Sequence, residues 1–497
     1  MDFLDPDKMK RHNLMVVIGY GLVAIAIGMA SLVLLYQSYG YGINREGEVI
    51  QNGLVFTAST PSGASVYLNS EQTDFQTDKR LVLAAGEYLI QYRKDGYWPW
   101  ARSINVVGSG VSRYDYAFLF PRQLDTTTVQ NYASVPTLST QSPDRRWLLL
   151  QRAGTGLVFD VFDLKNPTVA AQRVTLPSTL ISSGKTSQWE VVDWANDNRH
   201  LLLKHTYDNS TEFIMVDRTN PTSSFNLNTQ LNVDPTSVSL VNEKYDRYYL
   251  YTSSTHLLQV MNLSDQIPRN YLRNVLAYKS YGDQAVLYVT DDIKETADNK
   301  GKVQAKYTDG SKTYNLRQLA AGSTYLLDMA EYSGKTYVAI GSNAEDKVVV
   351  YRNPIDQIND SRIGVPVQVS TLKVDNPNYL QFSNNARFIM AEHGTQFAVY
   401  DAEEDKTYRY AFETETLDKP QKHAEWMDAN HLMYISDGKL FVFDYDQTNR
   451  HSLQAALPSY SPAFTPDFRR VFSVAPQTAN PKKAQMTSTW LRISTDR

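Results

Sequence analysis

The feature that most restricts this chain is a phrase that recurs about every 40 to 50 residues after Arg122. Each copy reads as a polar turn, an apolar strand, a second turn, another apolar strand, and an Asp or Asn that opens a polar loop. The clearest copies are SPDRRWLLLQRAGTGLVFDVFDLKNP from Ser142, DWANDNRHLLLKHTYDNSTEFIMVDRTNP from Asp193 and VSLVNEKYDRYYLYTSSTHLLQVMNLSDQ from Val238. Weaker copies start at Tyr278, Met329 and Leu380, and two clearer ones at Ala424 and Ser461. A unit of this size cannot bury both faces of its strands alone, and neighbours stacked side by side can. Four short strands per unit around a common axis make a β-propeller. The count predicts eight blades, or seven if two units share one. The stretch 291–312, rich in Lys and Asp, reads as an insertion forming a long hairpin or loop. Thr126 to Tyr132 is the expected closing strand, since a propeller removes its exposed sheet edge by letting one terminus complete the last blade.

The SPD-R and Phe-x-Val-x-Asp phrases resemble those of TolB-like and WD40-like propellers, although the Trp-Asp dipeptide and its His partner do not recur. That resemblance implies the architecture and no particular activity.

Near the N-terminus, residues 14–36 (LMVVIGYGLVAIAIGMASLVLLY) run without a charge. As a helix, 23 residues cover about 34 Å, more than the roughly 30 Å hydrocarbon core of a bilayer. A cleavable signal sequence has a shorter apolar stretch ending in small residues, and this run ends in bulky ones, so an uncleaved anchor is expected. Lys8, Lys10 and Arg11 precede it, and the next cation is Arg45. The positive-inside rule then predicts a cytoplasmic tail over 1–13, a single span over 14–36 and a linker over 37–50. Everything after the span is expected outside the cytoplasm, at the surface of a bacterial plasma membrane. Ala24 with Gly28, and Ala26 with Ala30, have the spacing that permits close helix approach, which leaves the oligomeric state open.

Residues 51–122 alternate apolar and polar positions between turn residues and predict a small antiparallel β-domain. Gly86 and Gly96 fall where tight turns need positive φ or no Cβ. Pro61-Ser62-Gly63-Ala64, then Val66-Tyr67-Leu68-Asn69, Gly86-x-Tyr88-x-Ile90 and Lys94-x-Gly96-Tyr97 resemble the PEGA domain. Pro61, Gly63, Ala64, Gly86, Tyr88, Gly96 and Tyr97 carry the signature. Ser62 stands where the family has Glu, and SEQTDFQTDK departs from the usual glycine-rich stretch and is expected to form a differently shaped loop. The resemblance implies a sandwich-like extracytoplasmic spacer without catalytic residues.

The fold class is thus mainly β, with a transmembrane helix, a PEGA-like domain over 51–122 and a propeller over 124–497. Composition narrows the function. Lys+Arg 49 against Asp+Glu 53 gives a net charge of -4 and no basic footprint for nucleic acid. The absence of cysteine excludes disulfides, thiolate metal sites and cysteine nucleophiles. No G-x-S-x-G, H-E-x-x-H, Walker loop or dinucleotide fingerprint occurs. The eight histidines are scattered, and His200 and His205, five apart on one strand, fall on opposite faces. Asp444-x-Asp446 and Glu403-Glu404-Asp405 read as turn residues rather than Ca²⁺ ligands. Asp193-Trp194, Glu425-Trp426 and the crowded Tyr248, Tyr249 and Tyr251 read as blade packing. No catalytic, cofactor or metal residue is therefore predicted, and the chain is expected not to be an enzyme. The expected partners are the bilayer, through residues 14–36, and a protein or surface glycan on the propeller. The alternatives are an envelope structural component and a propeller-type hydrolase or lyase, the latter requiring at least two carboxylates in one channel pocket.

Overall fold

The computed structural model describes residues 6–38, 40–43, 49–154, 157–293, 299–412, 417 and 423–497. Its chain divides into two compact units, Met1–Gln123 and Leu124–Thr495.

The first unit begins with helix α1, Pro6–Ser38. Among the described residues it is the one helix long and apolar enough to cross a membrane, with a mean hydropathy of 2.3 and none of its apolar window buried. Two four-stranded sheets follow. In the first, β2 (Val49–Thr60) pairs antiparallel with β1 (Tyr41–Ile43) and β5 (Lys79–Ala84), and parallel with β8 (Val111–Phe118). The second has β4 (Glu71–Gln76), β3 (Ser65–Leu68), β6 (Gly86–Arg93) and β7 (Trp100–Val106) in that order. The alternation along β2 and β7 places Val55, Trp100 and Ile104 inside, where they join Val66, Leu81, Ile90 and Tyr92. Tyr92 stacks on Trp100 at 4.9 Å, and its hydroxyl donates to Tyr114 O at 2.9 Å, tying one sheet to the other.

Two expectations are corrected here. The β-domain is not wholly antiparallel, since β2 and β8 pair in parallel, and Gly86, at φ +153°, makes the crossover from β5 to β6 in the other sheet rather than a tight turn between paired strands. SEQTDFQTDK is no loop either, because Glu71–Gln76 forms edge strand β4. Its side chains are mostly exposed, which is why it lacks the apolar alternation that marks a strand.

The second unit is a β-propeller. Among the described residues it has eight four-stranded antiparallel sheets, and in the first seven each strand pairs with the next in sequence. The first strands of the sheets are Leu138–Gln141, Ser187–Trp194, Ser237–Val241, Val275–Tyr281, Tyr325–Tyr332, Tyr379–Phe382, Glu425–Trp426 and Ala463–Phe464. They touch one another at several junctions, as the innermost strands of propeller blades do. The eighth sheet is completed by Asp125–Tyr132, which pairs with Asn480–Trp490 where the sequence placed the closing strand at Thr126 to Tyr132.

The core is a ring of contacts between sheets rather than a single centre. Leu149 and Phe159 of the first sheet pack on Leu201 and Ile214 of the second, and Leu148 and Phe162 pack on Phe472 and Met486 of the eighth. Middle strands are covered on both faces, so they read as continuous apolar runs; His431–Ser436 is buried at every position. Outer strands such as Gln172–Thr175 face solvent and bury one residue.

The segment 291–312 is also corrected. Residues 294–298 lie outside the described residues, but Lys302–Thr308 is no insertion: it is the third strand of the fourth sheet, paired with Ala285–Thr290 and Thr313–Ala320. Its alternating Lys and Gln hide the buried Val303 and Ala305.

The recurring Arg and Asp have a physical role. In the first, second and sixth sheets an Arg just before the second strand grips the Asp that ends the third. Arg146 reaches Asp163 at 3.1 and 2.9 Å, Arg387 reaches Asp401 at 2.9 and 2.6 Å, and Arg199 binds Asp217 in the same two-pronged way. The same Asp residues accept backbone N–H groups of the following turn, as from Lys165 and Glu403. In the seventh sheet Asn430 takes the Arg place, and His431 lies 3.4 Å from Asp444. In the eighth, Trp490 takes the Asp place and Arg470 lies over its ring at 3.6 Å.

Candidate functional site

Among the described residues, two cavities are lined by first strands of the propeller sheets. The larger, about 790 Å³, lies among the first strands of the second to fifth sheets and is lined by Asp193, Ser239, Glu243, Tyr278, Lys279 and Asp328. A bulge between Val191 and Asp193 breaks the alternation of the second sheet's first strand. Asp193 then lines the cavity, while Trp194 is buried and donates from Nε1 to Thr140 Oγ1 at 2.8 Å. The packing expectation thus holds for Trp194, and Asp193 has a different position.

Burial pushes the Asp193 carboxyl up to about 6; Glu243 adds to this, while the Trp194 N–H and Lys279 oppose it. Asp328 is also raised by burial, against Lys279 and two backbone donors. Its Oδ1 accepts from Met329 N at 3.0 Å and its Oδ2 from Phe382 N at 3.2 Å, with Lys279 Nζ 3.8 Å from Oδ1. Tyr278 and Ser239 share a hydroxyl hydrogen bond of 3.0 Å. Three carboxylates therefore meet in one channel pocket with one lysine, the arrangement that the hydrolase alternative requires.

The smaller cavity, about 590 Å³, is lined by Ser187, Gln188, Trp189, Glu190, Glu425 and Ser461 among others. Ser187 is exposed at the start of its strand. Its Oγ lies 2.9 Å from His205 Nε2, and His205 Nδ1 lies 2.8 Å from Glu212 Oε1. The register explains this line across three strands. Glu212 is directly opposite His205, Trp189 is opposite on the other side, and Ser187 is the diagonal neighbour. His205 and Glu212 are buried, and Trp189 stacks on the imidazole at 4.1 Å. Burial pushes Glu212 up, yet the hydrogen bonds from His205, Ser182 and Asn226 outweigh it and hold the carboxyl below its usual range.

The other sequence candidates serve structure. His200 is held by Asp197 at 2.5 Å and stacks on Tyr245 at 3.9 Å. Glu403 pairs with Arg387 at 2.6 Å, and Asp405 accepts the Tyr400 hydroxyl at 2.6 Å. Asp446 accepts from Thr448 Oγ1 at 2.7 Å, and Asp444 from Asn449 Nδ2 at 2.9 Å. Glu425 accepts from Ser461 Oγ at 2.6 Å, and Trp426 packs 5.9 Å from Phe388. Tyr248 and Tyr249 are buried between the sheets. No group of three metal-ligating side chains occurs among the described residues.

The PEGA-signature residues build turns and crossovers. Ala64 N donates to Thr77 Oγ1 at 2.9 Å, Gly63 and Gly96 have positive φ, Tyr88 Oη donates to Ala84 O at 3.1 Å, and Tyr97 is buried. Pro61 leads from β2 into this turn.

Sequence motifs gave no sign of Ser187, His205 and Glu212, because a cross-strand line has no fixed spacing along the chain. The available signal was His205 in the middle of an apolar strand, seven residues before a Glu that also falls within one.

No curated protein matches this chain in sequence. Among solved structures, similarity extends to the β-propeller domain of Swd1 from Myceliophteria thermophila, at 10% identity and a TM-score of 0.38, covering 67% of this chain and 100% of that one. An uncharacterized protein from Listeria monocytogenes EGD-e gives 12%, 0.40, 68% and 93%. An oligogalacturonate lyase in complex with manganese gives 9%, 0.39, 75% and 99%. Residues 53–118 match the PEGA domain family, so the chain carries a PEGA domain ahead of its β-propeller.

Proposed function

We propose that this protein is a single-span, membrane-anchored extracytoplasmic receptor or scaffold whose propeller channel binds a protein or surface glycan. The observation that carries this reading is the 790 Å³ cavity, in which Asp193, Glu243 and Asp328 outnumber Lys279. A cavity of this size and polarity accommodates a side chain or sugar unit, and its carboxylates favour a cationic or hydrogen-bond-donating group. The fully exposed apolar helix and the PEGA domain support anchoring and an extracytoplasmic location.

Two measurements test it. The chain has no thiol, so Ser70→Cys in intact cells should react with a membrane-impermeant maleimide; labelling only after lysis would reverse the topology. Full-length protein should retain a saturable partner from envelope extracts, and Asp193→Asn with Glu243→Gln should reduce retention at least about tenfold, as loss of charge-assisted contacts costs about 1.5–3 kcal/mol. Equal retention by wild type and double variant would remove the channel from the function.

A second reading, lateral packing within the envelope, draws on Ile363, Val365 and Val367, exposed together on the segment after the short helix Pro354–Asn359. Val365→Asp should then abolish cross-linking between neighbouring copies or partners while leaving channel binding intact.

A further inference from the structure

We propose that Ser187, His205 and Glu212 form a serine-hydrolase centre opening into the smaller channel cavity, with carboxylic esters as its substrate class. The geometry meets the demands of nucleophilic catalysis in order. A hydroxyl must touch a base, and Ser187 Oγ lies 2.9 Å from His205 Nε2. The base must present the right nitrogen, and Glu212 at 2.8 Å from Nδ1 keeps the proton there, leaving the Nε2 lone pair to accept from Ser187. A buried orienting carboxylate must itself be fixed, and Glu212 accepts from Ser182 N and Oγ, both at 2.9 Å, and from Asn226 Nδ2 at 2.8 Å. Trp189 stacks on the imidazole and restrains its plane. Nucleophile exposure completes the set: Ser187 lines the cavity while its two supports are buried. Such a centre is recognised by geometry and role, and no G-x-S-x-G phrase is needed.

The step balances without a cofactor. Ser187 Oγ attacks the ester carbonyl carbon as His205 Nε2 takes the hydroxyl proton. The tetrahedral adduct expels the alcohol, which leaves with that proton. Water, deprotonated by the same Nε2, then cleaves the acyl-serine to give the acid and restore Ser187. Gln188 and Ser459 line the same cavity and carry donors of the kind a developing oxyanion needs, whereas the Ser461 hydroxyl is held by Glu425. Glu190 and Glu425 also line it, Glu190 paired with Lys204 at 3.3 Å and Glu425 with the Ser461 hydroxyl. Ser187 is the catalytic nucleophile, His205 the base, and Glu212 a positioning residue.

The test uses the full-length protein in detergent. A fluorophosphonate probe should label wild type and leave Ser187→Ala unlabelled, and p-nitrophenyl acetate turnover should fall at least about 10³-fold in that variant. Ser187 is exposed, so removing its hydroxyl should leave the melting curve unchanged. Glu212→Gln should lower kcat about 10²- to 10⁴-fold with KM nearly constant, a split that loss of a merely structural contact does not produce. As a second measure, Ser187→Cys should be alkylated by iodoacetamide at least about tenfold faster than Ser70→Cys, and Glu212→Gln should erase the difference. Equal labelling of wild type and Ser187→Ala, or equal alkylation at 187 and 70, overturns the proposal and leaves a polar relay that only satisfies a buried histidine.

Discussion

The two units solve the same problem, closing β-sheets, in opposite ways. In the propeller each of the first seven sheets is a meander of consecutive strands, and neighbouring sheets meet through similar apolar faces. In the first unit β2 binds partners from three separate parts of the chain, one of them parallel, and β5 and β6 separate into different sheets. Local, repeated closure tolerates variation. The grip at the sheet ends comes from an Arg one residue before the position opposite the Asp in three sheets, and from the directly opposite residue in the seventh, His near Asp, and the eighth, Arg on Trp. Long-range closure leaves less latitude. Gly53 lies so near the end of β7 that an added Cβ would stand 2.5 Å from Val107 O and 2.6 Å from Val106 Cγ1.

The largest effect should come from breaking the most buried grip. Asp401→Ala leaves the Arg387 guanidinium, only 10% exposed, without its two-pronged partner and removes an acceptor for the Glu403 N–H. A loss of about 3–5 kcal/mol is expected in chemical denaturation. A cost below about 1 kcal/mol would mean that Glu403 alone holds Arg387.

Gly53→Ala should cost the first unit about 2–3 kcal/mol, because backbone rather than a flexible side chain must move. Hydrogen exchange along β2 and β7 reads it directly, and unchanged protection there would show that long-range closure has the slack denied to it above.

The seventh sheet separates itself from the Arg-gripped ones by pH. Burial pulls His431 down, but Asp428 and Asp444 outweigh it and lift the imidazole to about 9. A folded value above the unfolded one near 6.5 means the stabilisation is complete below about pH 6.5 and is lost as pH rises through 9. The expected loss is on the order of 2 kcal/mol, seen as a falling melting temperature that His431→Gln flattens. Parallel curves for the two proteins would assign the slope elsewhere.

The smallest effect belongs to the first sheet, where the Arg146 side chain is 41% exposed. Arg146→Ala should cost less than about 1 kcal/mol despite the same two hydrogen bonds as Arg387, since water screens and replaces an exposed pair. Equal costs for Arg146→Ala and Asp401→Ala would show that burial does not grade the grips.

The same contrast governs what can be read from residues alone. Middle strands such as Leu148 to Leu150 and Leu201 to Leu203 announce themselves because both faces are covered, and the repeat they belong to needs only nearest-neighbour contacts. Glu71–Gln76 was missed because an edge strand keeps polar side chains in water, and Lys302–Thr308 because an inner strand here carries polar residues among its apolar ones, with Gln304 buried and its amide donating to Arg317 O at 3.0 Å. Gly86 was legible as a position needing glycine, but whether a glycine turns a hairpin or crosses between sheets depends on where the partner strands lie.

By itself the sequence determined a charge-free apolar helix, a PEGA domain and a repeated four-stranded unit, because hydrophobic burial and turn geometry act over a few residues at a time. The tertiary structure alone decided which polar residues meet. Asp193 reaches the cavity only because a one-residue bulge redirects it, and Ser187, His205 and Glu212 align only because three strands hold one register. Distances between side chains on different strands are fixed by pairing and sheet twist, and neither is written in the spacing along the chain.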